Sequence, residues 1–131
     1  MLTRMEPRVR IEAVDCPAGS QPVGLWRVSW LVHNDEPGPL ELHNAWIPHG
    51  RFRGQGRLPL SVRVPAGGSA RLHFSVHAAE PPGTVVHNAY LILQVSGNGR
   101  AWRIFTRMRV EFDAQAQPRP IVEVITSQSI Q

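Results

Sequence analysis

The chain has no lysine: its fourteen basic residues are all arginine, set against ten acids for a formal charge of +4. That excess is too small for the dense polycation of a dedicated nucleic-acid binder. A lysine-free surface has two readings. Arginine forks suit phosphate and carboxylate, whereas a GC-rich coding bias, as in many bacteria, inflates Arg, Ala, Gly and Pro together, and this second reading is the simpler one. There is a single cysteine, Cys16, so neither an intramolecular disulfide nor a sulfur-based metal cluster can form, which fits a reducing compartment. Apolar runs of membrane-spanning length are missing, and Met1-Leu2-Thr3-Arg4-Met5-Glu6-Pro7 lacks the apolar core of a signal peptide. The expectation is a soluble, cytoplasmic protein with no membrane contact. Helical spacing of apolar residues is nowhere sustained.

Chemistry is sparse as well. No Gly-x-Ser-x-Gly, phosphate-cradling loop or paired-carboxylate motif occurs, and apart from Asp35-Glu36 the acids are scattered singly. Cys16, followed by Pro17, has no base or orienting group beside it in the sequence. The reading is no enzyme, no catalytic residue and no cofactor.

What the chain does have is a two-residue rhythm. Trp26, Val28, Trp30 and Val32 share one phase, and the runs 58–64 and 72–77 repeat the pattern. Strict alternation marks strands with one buried face. Strands are expected over 9–14, 23–33, 40–47, 58–64, 70–77, 85–95 and 101–112, with a last apolar run at 121–125. Twelve prolines and eleven glycines cluster between these runs, as many short strands joined by turns require. Ser96-Gly97-Asn98-Gly99 signals a tight hairpin, so the sixth and seventh strands should pair antiparallel. Seven strands without intervening helices predict an all-β antiparallel sandwich over 1–113, followed by a linker and C-terminal strand or tail over 114–131. Its core should contain Trp26, Val28, Trp30, Val32, Leu72, Phe74, Leu91, Leu93, Trp102 and Ile104. In the third strand Leu40, Leu42 and Trp46 read as one inward phase.

Trp30-Leu31-Val32-His33-Asn34 turning into Leu40-Glu41-Leu42 resembles a strand corner of bacterial immunoglobulin-like domains, of the fibronectin III and adhesion-module type. Val64-Pro65-Ala66-Gly67-Gly68-Ser69-Ala70-Arg71-Leu72 is similar to one of their turns, and Tyr90 stands where such folds often keep a tyrosine. The resemblance implies an immunoglobulin-like β-sandwich serving as a binding or spacer module.

Three surface features are candidates for function. The first is the histidines. His73 and His77 share one outward phase but lie about 13 Å apart along a strand, too far to bind one metal unaided. A zinc site would need His33, His43 or His87 to converge on them. Each of those three precedes an asparagine, and outward polar positions at strand ends account for them, so no metal site is expected. The second is the loop 49–57, where Arg51, Phe52, Arg53 and Arg57 can bind an anion or stack on a base, or else form a solvated connection with Phe52 plugged beneath it. The third is the outer face of the last hairpin. If Leu91, Leu93, Trp102 and Ile104 point inward, then Tyr90, Ile92, Arg103, Phe105, Arg107 and Arg109 point outward, a composition typical of interface cores.

Taken together, the residues predict a non-catalytic protein-interaction or structural module with its contact face on that hairpin. The alternative is a nucleic-acid-binding β domain using the same arginines and aromatics. A sugar site is weaker, because all four tryptophans read as inward. Residues 121–125, four of five β-branched, should form a strand. Such a strand either closes its own sheet or exchanges between two copies as a homodimer, and the exchange is slightly favoured.

Overall fold

The computed structural model describes residues 6–14 and 23–130; Cys16 lies outside them. Among these residues alternation becomes ten strands and no helix: β1 (Val9–Val14), β2 (Leu25–Asn34), β3 (Leu40–Trp46), β4 (Pro48–His49), β5 (Phe52–Arg53), β6 (Leu58–Val64), β7 (Ser69–His77), β8 (Val85–Gly97), β9 (Arg100–Phe112) and β10 (Pro118–Ile130). They form two five-stranded sheets, ordered β1-β2-β7-β5-β4 and β10-β9-β8-β3-β6, with antiparallel pairing throughout. The protein is an all-β sandwich. Hereafter the first sheet is A and the second B.

The buried phase of each strand meets in one core. Val28, Trp30 and Val32 of β2 and Leu72, Phe74 and Val76 of β7 line sheet A. Leu91, Leu93 and Val95 of β8 and Trp102, Ile104, Met108 and Val110 of β9 line sheet B. Trp30 is the centre, fully buried, with Phe74 at 5.6 Å and Phe52 at 6.4 Å between ring centroids. Trp26 packs at the margin, its indole N–H donating to the Ala78 carbonyl at 2.8 Å.

Turns fix the register. The two-residue loop Asn98-Gly99 places both residues at positive φ (58° and 73°), the requirement of a type I′ hairpin between β8 and β9. At the end of β2, Asn34 is 1% exposed, yet no polar atom of it is wasted. Its Nδ2 donates to the carbonyls of Gly38, Val64 and Pro65, and its Oδ1 accepts from the Glu36 amide. Its backbone pairs with Gly67 and Gly68. One side chain therefore ties the β2–β3 turn to the β6–β7 turn, two of the connections that carry the chain between sheets.

Three expectations need correction. First, Trp46 is not inward. The register of β3 shifts between Leu42 and Asn44: against β8, His43 is an extra residue, and against β6 the extra residue lies on β6. A bulge of one residue reverses every later side chain; Ala45 and Ile47 enter the core and Trp46 turns to the outer face. Second, the loop 49–57 contains the short strands β4 and β5, which extend sheet A beside β7. Third, the linker is a turn. Asp113 Oδ1 accepts from the Gln115 and Gln117 amides, each at 2.9 Å, and Ala116 sits at φ 59°. The strand begins at Pro118, runs to Ile130 and pairs with β9 of its own chain over that length.

Candidate interaction surface

The outer face of sheet B is a grid whose rows are set by register. One row holds Asn44, Gln94, Arg103 and Gln128 from β3, β8, β9 and β10. The next, two residues along, holds Trp46, Ile92, Phe105 and Thr126. A third holds Tyr90, Arg107 and Val124. Rows are about 6.8 Å apart and strands about 4.8 Å apart, so four strands span roughly 14 Å. The sequence-predicted residues Tyr90, Ile92, Arg103, Phe105 and Arg107 thus stand side by side, and Arg109 continues the line along β9, opposite Ile121.

Contacts across the grid are specific. Tyr90 meets Phe105 edge to face, at 6.4 Å and 89°. The Arg57 guanidinium lies 4.2 Å from the Trp46 ring centre and that of Arg103 lies 5.8 Å from it. Beneath them Ile92 is only 8% exposed, an apolar outer residue roofed by its neighbours. Asn44 Nδ2 donates to Gln94 Oε1 at 2.6 Å, while Asn44 Oδ1 and Arg103 Nε are buried without a hydrogen-bond partner.

The cations are of two kinds. Arg109 donates to Glu111 at 2.9 Å and to Glu123 at 3.3 Å, and these bonds, Glu111's first, raise its pKa above the ordinary arginine value. Arg107 lies 3.9 Å from Glu123, and Arg63, on β6, 3.3 Å from Glu41. Glu123 reaches both arginines because it is the extra residue at the β10 register shift between Val122 and Val124. Arg57 and Arg103, by contrast, have no carboxylate partner among the described residues.

The predicted anion loop is dispersed. Phe52 is fully buried against Trp30 and does not face solvent. Arg51 donates to Glu80 at 2.6 Å, a bond that holds the Glu80 carboxyl below the usual carboxylate range. Arg53 lies on β5 in register with His77, in sheet A, and only Arg57 reaches sheet B's face.

The histidines do not converge either. No group of three or more potential ligands capable of holding a metal occurs among the described residues. His33 pairs with Glu12 and His43 with Ser96. Ser29 Oγ and His73 Nδ1 share a 2.7 Å hydrogen bond, but no carboxylate orients the ring's other nitrogen among the described residues. That pair lacks the third member of a nucleophilic triad. A cleft of about 360 Å³ opens at one end of the sandwich, floored by Trp102 and walled by Pro37 and Pro39. Its Arg8 and Glu36 are bonded to each other. No helix among the described residues is long and apolar enough to cross a membrane.

Sequence reasoning missed Trp46 and the role of Arg57. The signal was present: His43-Asn44 puts two polar residues in succession inside an alternating strand, which is how a bulge reads in sequence. Comparison with protein-family models, with characterised proteins and with solved structures gave no match.

Proposed function

We propose that this protein is a non-catalytic protein-interaction module of immunoglobulin-like type and that its contact surface is the outer face of sheet B. The observation that carries this reading is the arrangement of centre and rim. Trp46, Ile92, Phe105, Tyr90 and Arg103 occupy the middle of the grid, while ion-paired charges stand at its ends: Glu41 with Arg63 at one, Arg107 and Arg109 with Glu111 and Glu123 at the other. Binding hot spots have this composition, aromatics and arginine at the centre within a polar border. The outer face of sheet A offers the contrast: beside Leu25 and Leu31, its outward phase holds Arg27, Ser29, His33, Arg71, His73 and Ser75, and no aromatic residue on β2 or β7. The immunoglobulin-like reading is supported by strand order, since β1-β2-β7 and β9-β8-β3 follow the A-B-E and G-F-C order of such sandwiches.

The nucleic-acid alternative uses the same residues less well. Glu111 and Glu123 already occupy Arg107 and Arg109, where phosphates would have to sit. Exchange of β10 between copies requires the Asp113 turn to open, and light scattering on the full chain reads that directly. The test of function is affinity capture from the source organism with wild type, a Tyr90→Ala/Phe105→Ala variant and an Arg71→Ala control. Proteins retained by wild type and control but lost with the face variant are expected. A captured set indifferent to the face overturns the reading. Mixed single-stranded oligonucleotide binding much tighter than about 10⁻⁶ M at physiological salt promotes the alternative.

A further inference from the structure

Only some of the arginines on sheet B's outer face are spoken for. Arg63, Arg107 and Arg109 each face a carboxylate of this chain. Arg57 and Arg103 face an indole instead, from the residue just before β6 and from β9. A cation on an aromatic ring keeps its N–H edges available, because the ring contacts the guanidinium by its plane. Two polar atoms beside it are left buried and unmatched, Arg103 Nε and Asn44 Oδ1, and Gln94 is cross-strand neighbour to both residues.

Resting on the sheet-face reading, we infer that Arg57, Trp46 and Arg103 form an acceptor site for the side-chain carboxylate of an acidic, extended peptide segment of a protein partner. The guanidinium fork takes a carboxylate through two parallel N–H bonds. The apolar flank suits the partner's neighbouring residues: Phe105 and Tyr90 lie one and two rows from Arg103. Charge decides between a peptide and a polyanion. Glu41 stands beyond one end of the site, and Glu111 and Glu123 beyond the other. A strand of phosphates crossing the face would run over these carboxylates, whereas one or two peptide carboxylates fit between them. The strip from Arg103 to Tyr90 is three rows deep, about 14 Å, by three to four strands. That is room for a short segment.

The test is selection of short random peptides displayed on phage against the full chain. Selected sequences are then synthesised and titrated calorimetrically against wild type, Arg57→Gln, Arg103→Gln, Arg103→Lys, Phe105→Ala and Tyr90→Ala, each checked for a wild-type melting midpoint. Selected peptides should be enriched in Asp and Glu next to aromatic or aliphatic residues. Arg103→Gln should weaken them about tenfold to a hundredfold, the range of one charged hydrogen-bonded contact. Arg103→Lys should recover only part of this, having charge without the fork. Changing the peptide's Glu to Gln should cost wild type the same factor and the Arg103→Gln variant little, which is the signature of a direct pair. Peptides without acid enrichment, no selected peptide, or indifference to Arg57 and Arg103 overturn the inference. If Phe105→Ala and Tyr90→Ala still abolish binding in that last case, the sheet-face reading stands alone; if they too have no effect, both fall. A single-stranded oligonucleotide that binds more tightly than every peptide at physiological salt overturns the inference in favour of phosphate.

Discussion

Thr106 offers a stringent test of the core. It lies on the inner face of β9, fully buried, and its Oγ1 has no hydrogen-bond partner. Its cross-strand neighbours are Leu91 on β8 and Ile125 on β10, so the hydroxyl is surrounded by hydrocarbon on both sides. Burying a hydroxyl without a compensating bond costs about 1–3 kcal/mol in proteins. Valine has nearly the same shape and a high strand preference. Thr106→Val should therefore stabilise the fold by about 1–3 kcal/mol, against the usual destabilisation of a core substitution. Unfolding entropy near 2.1 cal/mol/K per residue, for a chain of 131 residues, converts each kcal/mol into about 4 °C of melting temperature. Urea unfolding followed by tryptophan fluorescence, with calorimetry as a check, measures it. Thr106→Ser is the control: it keeps the hydroxyl and deletes a methyl, and should lose about 1 kcal/mol. If Thr106→Val is less stable than wild type by a kcal/mol or more, the hydroxyl is satisfied in solution and the reasoning is refuted.

Three further outcomes bear on the strand phases and on the turn between β9 and β10. Trp30→Ala should cost about 3–5 kcal/mol, since the ring is fully buried between Phe52 and Phe74. Trp46→Ala should cost about 1–2 kcal/mol, mostly lost ring–guanidinium contact and half-buried surface; equal losses in the two variants would put Trp46 back in the core and refute the β3 bulge. Asp113 is held below the ordinary aspartate pKa by the Gln117 amide first, then by the Gln115 amide and the Arg119 guanidinium. A depressed carboxylate contributes stability above its unfolded pKa and loses it as pH falls through the folded value. The stability gap between wild type and Asp113→Ala should thus be full near pH 6 and shrink on acidification from about pH 4 downward. A gap of the same size at about pH 2 would show that the charge on the turn contributes nothing.

The sequence by itself determined every strand but the short β4 and β5, the phases where alternation is unbroken, and the hairpin at Asn98-Gly99. These depend on local rules, a side-chain period of two and the few residues that accept positive φ. The same rules set Tyr90, Ile92, Arg103, Phe105 and Arg107 on one face, because β8 and β9 alternate without interruption from Ala89 to Val95 and from Ala101 to Phe112. What failed was any strand containing an extra residue. His43 shifts β3 and turns Trp46 outward, and His87-Asn88, with Asn88 at φ 59°, shifts β8 ahead of Ala89. Two of the three His-Asn pairs thus sit at register shifts, and the third ends β2, where Asn34 bonds three carbonyls. His43-Asn44 marks the place of the β3 bulge in the sequence, but which residue is extra is a choice between pairing partners, fixed only when the partner strand is in place. Non-local meetings were equally hidden. Arg57 reaches Trp46 only because Leu58 pairs with Ala45, and Phe52 reaches Trp30 only because β5 adds to β7. Glu123 neutralises two arginines only because β10 folds back and bulges beside them. Alternation gives each residue a face, and only the assembled sheets give it neighbours.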